Sequence, residues 1–86
     1  MSIQIKLMPS SPETDLEQIK GEVKKIVETQ GGKGIHFHEE PIAFGLKAII
    51  LTCIWPEAKE LENLEESLRN IENVSSEELI DIRRAM

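Results

Sequence analysis

Polar and apolar residues alternate from Ser2 to Met8, with Ile3, Ile5 and Leu7 on one side and Gln4 and Lys6 on the other. This is the two-residue period of a half-buried strand. Pro9 and Pro12, with two serines between them, interrupt the ladder, and Thr14 followed by Glu17 has the form of a capping box. Leu16, Ile19, Val23, Ile26 and Val27 then recur at steps of three and four residues, predicting a helix with one apolar stripe. It is expected to end near Gln30, where Gly31, Gly32 and Gly34 follow. Alternation returns over Ile35 to Glu40, with Ile35 and Phe37 on one face and His36, His38 and Glu40 on the other. That reads as a second strand whose pairing Pro41 limits. Leu46 to Trp55 is the longest apolar run, interrupted only by Lys47 and Thr52, and predicts a central strand. A second helix is expected from about Glu60 to Glu72, with Leu61, Leu64, Leu68 and Ile71 on one face. A final strand is expected from Leu79 to Arg84, with Ile80 and Ile82 on one side and Leu79, Asp81 and Arg83 on the other.

The order β-α-β-β-α-β describes an α+β, ferredoxin-like sandwich: a four-stranded antiparallel sheet with two helices on one face. Right-handed crossovers place the first and third strands in the centre. With no repeat, linker or low-complexity stretch, one domain is expected over residues 1–86. Only 3% of residues are aromatic, so the core must come from Ile, Leu and Val. A net charge of −6 argues against nucleic acid as a direct partner, since phosphate binding is driven by Lys and Arg. Cys53 is the single cysteine and cannot form an internal disulfide. No apolar run is long enough for a secretory or membrane-spanning segment, so a cytoplasmic protein without membrane contact is expected.

Candidate chemistry is sparse. His36, His38 and Glu40 share a strand face, yet no cysteine or third histidine stands near them to complete a zinc set, and no metal is predicted. Cys53 lies between Thr52 and Ile54 in the most apolar strand, a setting for a packed thiol rather than a reactive thiolate. The GGKG at Gly31 to Gly34 lacks the strand–loop–helix context of a phosphate cradle. The loop MPSSPET after the first strand carries no arginine or glycine to hold phosphate, which disfavours a hydrolase. No catalytic residue and no cofactor are expected. The acidic second helix, with Glu60, Glu62, Glu65, Glu66 and Glu72, is a solvated face or a surface that steers a basic partner.

The informative segment is Glu40-Pro41-Ile42-Ala43-Phe44-Gly45-Leu46, an apolar connection where a hairpin loop is ordinarily polar. Two readings stand. Either Phe44 folds back onto the core, or it is an exposed anchor of the kind that dominates protein interfaces.

At this loop the chain resembles a known family. The stretch EEPIAFGLKAIILTCIWPE is similar to the segment before and through the third strand in the guanine-nucleotide exchange domain of the elongation factor 1-beta family. The opening MPSSPETDLEQI resembles that family's first strand and helix start, and the ending LIDIRRAM its short archaeal members. The resemblance implies an exchange factor, without bond chemistry of its own, that releases GDP from elongation factor 1-alpha so that GTP can load. It implies a partner-binding loop of Ile42, Ala43, Phe44, Gly45 and Leu46. Eukaryotic members also use a lysine near the C-terminus against the partner's magnesium and phosphate site. Here that tail reads Arg83, Arg84, Ala85 and Met86, so Arg83 or Arg84 is the candidate cationic group. The factor is expected to be a monomer when free. The competing class is a non-catalytic binding or regulatory module acting through the open sheet face. In that case the apolar set Ala48, Ile50 and Ile54 on the third strand, if exposed, is a candidate dimerisation patch.

Overall fold

The computed structural model describes residues 1–84. Four strands and two helices follow in order: β1 (Ser2–Pro9), α1 (Leu16–Thr29), β2 (Lys33–Pro41), β3 (Lys47–Ile54), α2 (Leu61–Arg69) and β4 (Val74–Arg83). The sheet is antiparallel in the order β2-β3-β1-β4, so the two most apolar strands occupy its centre as the sequence pattern requires.

Register shows which side of each strand is buried. Ile3, Ile5 and Leu7 of β1 lie opposite Cys53, Leu51 and Ile49 of β3, and all six are buried in one cluster with Ile19, Val23 and Val27 of α1 and Leu64 and Leu68 of α2. Trp55 closes this cluster at the end of β3, its indole N–H donating to the Lys59 carbonyl oxygen at 3.2 Å. Each such aliphatic side chain contributes roughly 1.5–3 kcal/mol of burial, which offsets the scarcity of aromatics. The second apolar set on β3 therefore faces away from the helices: Ala48 is buried, Ile50 half-buried and Ile54 43% exposed.

The cap of α1 and three element boundaries depart from the sequence expectation, the boundaries by more than one residue. The cap of α1 is Asp15 rather than Thr14: its Oδ1 accepts from the Glu17 backbone N–H at 3.0 Å. Thr14 is occupied in the preceding turn, its N–H donating to the Ser11 carbonyl and its hydroxyl meeting the Ser11 Oγ at 3.2 Å. Helix α2 stops at Arg69, three residues before Glu72; Ile71 is nonetheless buried, held by the turn in which the Ile71 N–H reaches the Leu68 carbonyl. Strand β2 begins two residues early, at Lys33.

The fourth departure is β4, which starts at Val74 rather than Leu79 and runs along the edge of the sheet. Its faces do not alternate strictly. Leu79 lies opposite Ile5 and Ile82 opposite Ile3, with a register shift between Gln4 and Ile5. The extra residue of this bulge lets Leu79 and Ile82 oppose core-facing partners although they are three apart in sequence. Further down, Glu77 lies opposite Leu7, which places a carboxylate on the helix side of the sheet. Its side chain is only 5% exposed, and Arg69 of α2 reaches one oxygen at 3.5 Å.

Candidate functional site

Between β2 and β3 the chain makes a tight 3₁₀ turn over Ala43–Gly45, closed by Ile42 N–H to the Leu46 carbonyl at 2.8 Å and Leu46 N–H to the Ala43 carbonyl at 3.3 Å. Two consecutive residues take the left-handed conformation, Phe44 at φ 64° and Gly45 at φ 76°. Glycine tolerates this region; a phenylalanine there carries about 1–2 kcal/mol of steric cost. Among the described residues nothing compensates by packing, because Phe44 is 91% exposed. Of the two readings the sequence left open, the ring standing out in solvent is the one realised. Ala43 and Gly45 are also exposed, whereas Ile42 and Leu46 are half-buried and root the turn.

This turn rides on an overhang. Pairing between β1 and β3 ends at Leu7 opposite Ile49, while β2 and β3 continue for two more rungs, Glu40 opposite Ala48 and Pro41 opposite Lys47. A cleft of about 200 Å³ lies at its base, lined in part by Pro12, Thr14, Glu39, Gly45 and Lys47.

The tail is elsewhere. Arg83 lies opposite Ser2, and Ser2 opposite Ile54, which puts it at the far end of β3 from Phe44. Its Nε donates to Asp81 Oδ2 at 3.0 Å on an open surface, and Arg84 is exposed beside it. Ala85 and Met86 lie outside the described residues. The two sets of residues that the sequence singled out thus lie at opposite ends of β3.

The other candidates resolve individually. His36 and His38 are exposed opposite Thr52 and Ile50, and among the described residues no three His, Cys, Asp or Glu side chains gather as a metal site. Cys53 is buried, and desolvation pushes its thiol up to about 11, far from the thiolate a nucleophile needs. Among the described residues no helix is long and apolar enough to cross a membrane.

The family described as the EF-1 guanine nucleotide exchange domain matches residues 2–85. The chain belongs to this exchange-domain family. Its relatives are archaeal proteins named elongation factor 1-beta. That of Methanothermobacter thermautotrophicus is 44% identical over 83 residues, covering 95% of this chain and 92% of the relative. That of Metallosphaera sedula is 41% identical over 85 residues, covering 95% and 91%. The fold is also that of an ACT domain from a GTP pyrophosphokinase of Chlorobium tepidum, with TM-score 0.62 and 12% identity over 93% of this chain and 97% of that one. At that identity the likeness concerns architecture alone. Membership supports a nucleotide-exchange role in translation elongation, which in family terms is non-catalytic.

Sequence reasoning found Phe44 but had no means of seeing its backbone. It missed the clamp at the root of the overhang. Lys20 of α1 donates to Glu39 Oε2 at 2.7 Å and to Glu17 Oε1 at 3.3 Å, and Lys47 approaches Glu39 Oε1 at 4.0 Å. The Lys20 hydrogen bond lowers the Glu39 carboxyl below its ordinary range, and Glu39 in turn raises Lys20. Only the packing of α1 against β2 brings these residues together; their sequence separation carries no signal.

Proposed function

We propose that this chain promotes GDP release and GTP loading on elongation factor 1-alpha in the cytoplasm, with the Phe44 turn as its docking anchor. The observation that carries the reading is Phe44 itself, a large apolar ring 91% exposed on a left-handed backbone. Strain of this kind persists where the surrounding structure imposes it, and it clusters at active sites, ligand clamps and switch regions. An exposed aromatic with a fixed backbone enters an interface with little further ordering, the property of a hot-spot residue.

Exchange requires that factor and nucleotide weaken each other on the GTPase, and by linkage the weakening is equal in both directions. A hydrophobic anchor at one end supplies affinity that does not depend on the nucleotide. A cation at the other end supplies the antagonism, by competing for the field around the partner's magnesium and phosphates. Arg83 and Arg84 are the tail groups in this role; a guanidinium matches the charge of a lysine but is planar and broader. The carrier binds the factor as a monomer.

The test is release of a fluorescent GDP analogue from archaeal elongation factor 1-alpha in excess unlabelled nucleotide. Saturable acceleration at substoichiometric protein supports the reading. No acceleration by folded protein on an active GTPase removes it, and leaves a non-catalytic binding module. Replacing Arg83 and Arg84 together by alanine should lower the maximal rate more than the affinity; unchanged exchange would exclude the tail from the mechanism.

A further inference from the structure

The Phe44 turn is carried by the β2–β3 ribbon, with the β1–α1 loop as its neighbour at the base. Beyond the rung of Leu7 and Ile49 no β1 residue flanks β3, and an isolated two-stranded ribbon is marginal in water. The turn's own bonds, Ile42 to Leu46 and Leu46 to Ala43, fix its shape but not the angle at which the ribbon leaves the sheet. A tie from the ribbon to the helix layer would narrow the directions in which Phe44 points, beyond what the half-buried Ile42 and Leu46 impose.

Lys20 is placed to do this. Glu39 lies opposite Ile49, a core residue, and so projects toward the helices at the base of the overhang. It meets Lys20 there at 2.7 Å, and the Lys20 side chain is 17% exposed, its stem covered and its ammonium committed between Glu17 and Glu39. Lys47, the first residue of β3 after the turn, closes on the other Glu39 oxygen at 4.0 Å. One carboxylate thus touches the strand leading out of the turn and the helix beneath it. A charge-assisted bond of this length is stronger than an ordinary surface pair, and partial cover reduces its screening.

We infer that Lys20 is a positioning residue, which through Glu39 sets the direction in which the Phe44 turn is presented to the partner. The inference rests on the docking role of Phe44 given above.

The experiment is a double-mutant cycle on the full chain. Lys20→Met keeps the aliphatic stem and removes the charge; Glu39→Gln removes the charge from the other side. Each is read in stimulated GDP release, alone and combined with Phe44→Ala, with thermal melting to confirm folding. Each single variant should lower kcat/KM about threefold to tenfold, toward the low end of the coupling seen for residues in one network. In the Phe44→Ala background the same changes should cost less than about twofold. In parallel, nitrogen-15 relaxation on the free protein should show the amides of residues 43–46 gaining fast motion in both variants, with the amides of Ile5 and Leu51 unmoved. Equal losses in both backgrounds, or turn amides that stay as rigid as before, overturn the inference. If Phe44→Ala leaves exchange intact, the docking role fails, and the relaxation data alone then decide whether Lys20 orients the turn.

Discussion

Replacing Phe44 by glycine should make the domain more stable while making it a poorer exchange factor. The ring contributes almost no burial, being 91% exposed, and the residue sits at φ 64°. Glycine removes the left-handed cost of about 1–2 kcal/mol and returns about 0.4–1 kcal/mol of it through the greater freedom of the unfolded chain. The balance is a gain of about 0–1.6 kcal/mol, centred near 0.8 kcal/mol. For a chain of this size that raises Tm by roughly 3–6 °C. Phe44→Ala is the control, because alanine keeps the Cβ that clashes in this region; its stability should stay within about 0.5 kcal/mol of the parent. Urea denaturation followed by fluorescence of the buried Trp55 measures both, and GDP release on the same samples measures function. Both variants should slow exchange together, although only one changes stability. A Phe44→Gly protein less stable than Phe44→Ala would refute the reasoning, since it would mean that the backbone is not strained there.

Other outcomes follow from the packing. A Cβ at Gly32 would lie well inside van der Waals contact of Val27 Cγ1 and 3.2 Å from the Trp55 ring; Gly32→Ala should cost about 1–3 kcal/mol by overpacking in urea melts, and Val27→Ala should recover part of it. Burial and the nearby Glu65 and Glu78 carboxylates push the Glu77 carboxyl above its ordinary 4.5, against the opposing pull of Arg69. Folding therefore favours its protonated form, and the stability this contributes is present at low pH and lost as pH rises through the raised value. Glu77→Gln should accordingly stabilise the domain by on the order of 1 kcal/mol at pH 7 and lose that advantage near pH 4. A variant less stable than the parent at pH 7 would show that the Arg69 pair outweighs the burial. With its thiol at about 11, Cys53 should resist a thiol reagent at pH 8 until denaturant is added; prompt labelling of native protein would contradict its burial.

Much of the fold was legible because the central strands obey simple periods. Ile3, Ile5 and Leu7 needed no tertiary information to be placed inward, and the stripe of α1 is the one observed. Strand β4 was read five residues short for a physical reason: an edge strand has one paired neighbour, and its first half, Val74 to Glu78, is mostly polar. Glu77 occupies a position where alternation calls for an apolar residue, and the bulge then resets the phase. The candidate site was legible as a composition anomaly, an apolar loop, but not as a geometry. Phenylalanine gives no hint of positive φ, so the strain at Phe44 and its exposure emerge only when the β2–β3 register dictates a three-residue turn. The Lys20–Glu39 clamp depends on helix packing that no local pattern encodes.

The antiparallel register has a consequence for how such a molecule grips. Phe44 and Arg83 are separated by the length of β3, eight residues at about 3.4 Å each, through a sheet packed under two helices. A partner that engages both ends is held bivalently through a stiff spacer, so the second contact forms at an effective concentration fixed by geometry and not by the bulk. Stiffness works both ways. Once the two contact points on the partner shift relative to each other by a few ångströms, the spacer cannot stretch to follow, avidity collapses to that of a single weak contact, and the factor is free to leave.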